Sequence, residues 1–265
     1  MSKITANGIE IEYFEHGIDG EPVVFVHGSS LDASFYVKTA SLLERDFRVI
    51  TYNRRGYCGS SQCSEAGTMD DQVEDLKGLL DGLGIKKAHL NGHSSGGTIC
   101  IAFALKYPQM VQTLCLNEAM LWQSMPIAEE IIKAFAIVFE KYEKEGAKSA
   151  MYCAWELMCG GDVHQRMPDG CFDRIIENSG IYFIELGAFV QFIPSREDIS
   201  SLSMPILTVI GEKSKIIHCV YQLQNDLIKE CLPQTIEYTL PNATHLLFIE
   251  NPSDFADAVK GFIKK

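Results

Sequence analysis

Residues 88–98 read AHLNGHSSGGT. A short strand-like run, 88–90, leads into Gly92-His93-Ser94-Ser95-Gly96, and an apolar stretch with helical character, 96–107, follows as far as Pro108. This is the pattern G-x-S-x-G set between a strand and a helix. The arrangement has a chemical purpose. A serine hydroxyl that must stand clear of a sheet needs a sharp, strained turn, and small residues two positions to either side let strand and helix approach closely. The turn also places Ser94 at a helix N-terminus, where backbone N–H groups and the helix dipole favour developing negative charge. Ser94 is therefore read as a nucleophile rather than as part of a plain Gly/Ser-rich turn.

Working outward, strands alternate with helices. Ile4-Thr5, the turn dipeptide Asn7-Gly8 and the alternation Ile9, Ile11, Tyr13 predict a β-hairpin. Strands are predicted at 22–27, 47–52, 111–116, 206–210 and 235–240, and helices at 33–44, 69–83, 220–231 and 252–263. The alternation predicts an α/β fold: a mostly parallel eight-stranded sheet with helices on both faces. It breaks after residue 118. Residues 121–200 hold no convincing strand and read as an inserted helical region, with helices at 127–143 and 147–159 and a less regular stretch to 192. The domain reading is a core of 1–120 and 201–265 with an insertion of 121–200.

Two further pieces converge on Ser94. The strand PVVFVH ends in His27-Gly28-Ser29-Ser30. A tetrahedral oxyanion needs two donors, and the N–H groups of Ser95 and Ser29 are the candidates; His27 is read as an anchor of the loop. The chain has seven histidines, and His245, in Pro241-Asn242-Ala243-Thr244-His245, is the one in the loop after the last strand, from which it can reach across the strand ends. A serine and a histidine need a carboxylate to hold the imidazole tautomer. Glu212, in the turn after 206–210, and Glu118, after 111–116, are the two candidates.

With these motifs the chain resembles the α/β-hydrolase superfamily along nearly its whole length: the His27-Gly28 loop, N-R-R-G-Y-C-G-S at 53–60, the elbow at 92–96 and the histidine loop at 241–245. The resemblance implies a helical cap at 121–200 over the active site. It also implies an aspartate at position 214, where this chain has Ser214. Some subfamilies carry the acid on the preceding strand end, among them zearalenone-type lactonases and bacterial hydrolases with a G-H-S-S-G elbow, and this favours Glu118. Two departures, Asn53 for the usual aspartate and Cys58 for the usual glycine, are read as loop variation.

The resemblance implies a cofactor-independent, metal-free serine esterase or lactonase acting on a moderately hydrophobic small molecule. Within the insertion and at its root, Met120, Trp122, Trp155 and Met158 are the candidate substrate-binding residues. A carbon–carbon bond hydrolase or perhydrolase on the same triad, or a non-enzymatic receptor on this scaffold, are the alternatives. Bulk properties narrow the field. A net charge of −12 repels phosphate backbones and argues against nucleic acid as a partner. No run reaches the ~18 uninterrupted apolar residues of a membrane span. Nine cysteines without C-x-x-C spacing, and an N-terminus lacking an apolar signal region, point to a cytoplasmic protein. The oligomeric state stays open, since cap residues could carry a homodimer contact.

Overall fold

The computed structural model describes residues 1–62, 67–121, 124–125, 128–214 and 219–265. The chain opens with a hairpin, β1 (Ser2–Ala6) and β2 (Ile9–His16). Asn7 and Gly8 connect them at φ of 47° and 78°, a pair of left-handed residues that matches the right-handed twist of the flanking strands. Then come β3 (Pro22–Val26), α1 (Val37–Leu43), β4 (Arg48–Tyr52), α2 (Met69–Gly82), β5 (Ala88–His93), α3 (Ser95–Lys106) and β6 (Val111–Asn117). Six helices follow: α4 (Ala128–Glu145), α5 (Ala147–Cys159), α6 (Val163–Arg166), α7 (Cys171–Glu177), α8 (Ser179–Phe189) and α9 (Arg196–Ser200). The chain closes with β7 (Ile206–Gly211), α10 (Cys219–Cys231), β8 (Ile236–Leu240), α11 (Leu247–Glu250) and α12 (Pro252–Ile263).

The strands form one eight-stranded sheet in the order β1-β2-β4-β3-β5-β6-β7-β8. The hairpin is antiparallel at one edge and every pairing from β4 to β8 is parallel. Parallel strands need both faces covered, and β3 shows how its all-apolar run meets that need. Val24 and Val26 pack in one layer with Leu76 and Leu80 of α2 and Phe103 of α3. Val23 and Phe25 point the other way, to Leu43 of α1 and Phe255 and Val259 of α12. The site is thereby held at the carboxyl ends of a sheet sandwiched on both sides.

Three elements differ from the sequence reading. The stretch 33–44 is not one helix. Asp32 caps a 3₁₀ turn, Ala33–Tyr36, by accepting from the Ser34 N–H at 2.8 Å, and α1 starts afresh after it. β5 runs to His93, because His89, Asn91 and His93 are polar yet buried. α8 is a regular eleven-residue helix where an irregular stretch was expected. Among the described residues no helix is long and apolar enough to cross a membrane.

Candidate active site

The elbow forms as the spacing requires. Ser94 has φ 52° and ψ −122°, a conformation that a residue with a side chain rarely adopts and that the surroundings must hold. A Cβ on Gly92 would sit 2.5 Å from the Gly96 carbonyl oxygen, and one on Gly96 would run into the Val26 carbonyl. Ser94 is the one residue from 88 to 104 that is not buried.

Register brings the carboxylate beside it. β5 and β6 pair His93 with Asn117, so Ser94 and Glu118 emerge next to one another from adjacent strand ends. Glu118, at φ 45°, shares the left-handed strain, and its N–H is donated to the Val209 carbonyl at 3.1 Å. Its side chain is fully buried, and both oxygens are engaged. Oε2 lies 2.6 Å from His245 Nδ1, and Oε1 accepts the Gly211 N–H at 2.8 Å. Burial pushes the Glu118 carboxyl up to about 7, while the Gly211 amide and the Ser214 hydroxyl pull the other way. Glu212, the other candidate, is exposed and accepts the Asn242 N–H at 2.9 Å, holding the turn that precedes His245.

The imidazole of His245 is fixed on several sides. Tyr221 of α10 stacks on it at 4.7 Å with 18° between the planes. His93 turns away from Ser94, and its Nε2–H donates to the His245 carbonyl at 2.8 Å. Burial drives the His93 imidazole down to about 3, which keeps it a neutral, fixed donor.

The loop after β3 lies against the nucleophile. A Cβ on Gly28 would be 3.0 Å from Ser94 Cβ. The Ser29 and Ser95 hydroxyls meet at 2.9 Å, so these two residues flank Ser94. His27 anchors the loop from below. Its Nδ1 lies 2.8 Å from the Gly28 carbonyl and its Nε2 accepts the Arg54 N–H at 3.0 Å. Burial lowers its pKa well below the usual value, so the ring is neutral, as that hydrogen-bond pattern requires. Of the two departures read as loop variation, the first has structural work. Asn53 accepts the Ala33 N–H at 2.8 Å and donates to Glu12 Oε2 at 2.5 Å; an aspartate here would set two carboxylates against each other. Cys58 sits at φ 46°, which explains why glycine suits that position.

A cavity of about 250 Å³ opens over these groups, lined by Ser94, Glu118 and His245 and by apolar residues that include Phe135 and Leu157. Met120 and Met158 line it as expected. Trp155 does not. It is buried in the core layer, with its ring 6.3 Å from that of His245, because the helical face that carries it packs inward. Trp122 and the expected start of α4 at 127 lie outside the described residues. The sequence reading missed Tyr221 and Gln224, because it sought the lining in the insertion alone; their spacing on one face of amphipathic α10 was the available signal. Among the described residues, no group of three or more His, Cys, Asp or Glu could hold a metal ion.

Residues 21–137 match the family model of the alpha/beta hydrolase fold. A 2-hydroxy-6-oxononadienedioate/2-hydroxy-6-oxononatrienedioate hydrolase of Paraburkholderia phymatum is 37% identical over 113 residues, 41% of this chain and 39% of the relative. Such matches span between 31% and 39% of the relatives' own length. A thermophilic esterase from Thermogutta terrifontis superposes with a TM-score of 0.80 at 25% identity, over 99% of this chain and 97% of that one. The enol-lactonase from Burkholderia xenovorans superposes with a TM-score of 0.82 at 18% identity, over the whole of both chains. On the family model matched over residues 21–137, the sheet order and the strand–elbow–helix geometry, the chain has the α/β-hydrolase fold.

Proposed function

We propose that the chain is a serine hydrolase acting on a moderately hydrophobic carboxylic ester or lactone. The observation that carries this reading is the 2.6 Å contact between His245 Nδ1 and Glu118 Oε2 at the wall of the cavity that also holds Ser94. Glu118 fixes the imidazole with Nδ1 protonated and leaves Nε2 as base. His245 takes the Ser94 proton as the oxygen attacks the carbonyl carbon. The oxyanion is held by the Ser29 and Ser95 N–H groups. Collapse expels the alkoxide, which takes the proton from the imidazolium, and water attacks the acyl-enzyme by the same route in reverse. Residues 121–200 serve as the cap, and its apolar contribution to the cavity favours an apolar substrate.

The experiment is turnover of p-nitrophenyl butyrate and of a small lactone panel by the wild type and Ser94→Ala, with labelling by an alkyl fluorophosphonate read by mass. Turnover and an adduct on Ser94, both lost in the variant, are expected. An inert, unlabelled wild type leaves the receptor reading. The named relative favours one second reading, a carbon–carbon bond hydrolase. A vinylogous 1,5-diketone with an enol terminus belongs in the panel to separate the two.

A further inference from the structure

A cluster outside the Ser94–Glu118–His245 set joins the insertion to the loop over the nucleophile. Arg54, on the loop after β4, is fully buried and forks onto Glu185 of α8, with Nη1–Oε2 at 2.8 Å and Nη2–Oε1 at 3.0 Å. Glu185 is 2% exposed. Its Oε1 also accepts the Tyr57 hydroxyl proton at 2.6 Å. The Tyr57 oxygen in turn accepts the Ser30 N–H at 3.1 Å. On the other side of the same residue, Asn178 Nδ2, at the start of α8, donates to the Ser30 carbonyl at 3.2 Å and to Asp32 Oδ2 at 3.3 Å. Arg174 of α7 reinforces this grip with two contacts to Asp32 Oδ2 at 3.0 and 2.9 Å.

Both backbone polar groups of Ser30 are thus held by side chains that belong to, or are oriented by, the insertion. Ser30 sits at φ 62°, so the loop needs such a hold. A buried ion pair of this kind is poor value for stability alone, because apolar residues of the same volume often do as well; its distinctive yield is fixed geometry. The neighbour of Ser30 is Ser29, whose N–H must aim at a point in space to within tenths of an ångström if it is to bind an oxyanion.

We infer that Tyr57 and Asn178 are positioning residues for the oxyanion loop, and that docking of α7 and α8 on the core, through Glu185, sets the aim of the Ser29 N–H. The inference rests on the serine-hydrolase reading. It assigns the insertion a part in the chemistry beyond covering the substrate.

The test separates oxyanion geometry from general damage by comparing an aryl ester with its thionoester, in which C=S replaces C=O and the developing sulfur anion accepts N–H hydrogen bonds weakly. Tyr57→Phe keeps the buried ring against His27, which lies edge-on at 4.7 Å, and keeps the Arg54–Glu185 pair. We expect kcat for the oxoester to fall about tenfold, KM to stay within about twofold, and the thionoester rate to hold, so that the oxo/thiono ratio shrinks about tenfold; a full donor loss would cost more. Asn178→Ala should move the ratio in the same direction, and it carries the test if Tyr57→Phe does not fold. A ratio unchanged in the folded variants, or equal losses on both substrates, overturns the positioning role while leaving Ser94 as nucleophile. A wild type inert to the ester and lactone panel overturns the hydrolase reading, and this inference with it.

Discussion

Glu118 carries two opposed demands, and each gives a prediction. As the partner of His245 it is needed for rate in the proposed mechanism. Glu118→Gln keeps the size but cannot stabilise the imidazolium, and kcat should fall on the order of 10³–10⁴-fold in ester turnover. As a buried acid it weakens the fold. Its native pKa of about 7 lies above the 4.5 of a free glutamate, so the native state binds the extra proton between these values. The unfolded state binds fewer protons there, so stability falls as pH rises from about 4.5 to 7 and levels off beyond, by at most about 3 kcal/mol, less what the imidazolium returns. Glu118→Gln should flatten that slope and match or exceed the wild type in urea unfolding at pH 8. A variant destabilised at pH 8 but not at pH 5 contradicts the sign. Cys58 is a simpler case. At φ 46° it bears a left-handed strain that glycine avoids, and Cys58→Gly should raise stability by about 1 kcal/mol, read as a Tm rise of a few degrees. The elbow at Ser94, its glycines and the loop that carries His245 were legible in the sequence because each answers to a local rule. The grip of Asn53 on Ala33 was not, since a side chain's partner twenty residues away leaves no local signature.

At the level of elements, the turn after β7 is where the acid usually sits and where Ser214 now lies buried against Glu118. If the site tolerates either placement, Ser214→Asp added to Glu118→Gln should recover at least about tenfold of the lost kcat. No recovery in a folded double variant means that the turn has moved too far from His245 to serve. The ends of β6 and β7 were readable to within a residue because both are mainly apolar runs stopped by Gly or by a polar pair, whereas the polar residues of β5 hid its extension to His93. α8 was not readable for the opposite reason. SGIYFIELGAF is apolar on nearly every face and carries Gly180 and Gly187, so it lacks the 3.6-residue contrast that announces a surface helix. Nothing local to the Glu185 in its midst points to Arg54, 131 residues earlier.

Over the whole molecule, the cavity at Ser94 abuts a second, mainly apolar hollow between α4 and α8; Met120 and Phe135 line both, so a shift of these two side chains would open a path between them. A substrate with a longer aliphatic portion can follow that path, and each methylene moved out of water contributes about 0.8 kcal/mol. In a p-nitrophenyl ester series, kcat/KM should therefore rise by up to about fourfold per carbon beyond acetate and then level off; a fall from the shortest ester onward denies the path. The mostly parallel sheet and the run of helices between β6 and β7 followed from β–α alternation, whereas the order of the strands and the shape of the cavity depend on packing between distant segments and had to be seen. The placement of the proposed acid just after β6 has one more consequence. Ser94 and Glu118 lie within one short stretch of chain, and the whole insertion separates them from His245. The exposed segment at Ile193, between α8 and α9, divides the protein into a piece with the proposed nucleophile and acid and a piece with the proposed base. Co-expressed as two halves, the protein would be inert in either part, and ester turnover would become a reporter of β6 finding β7.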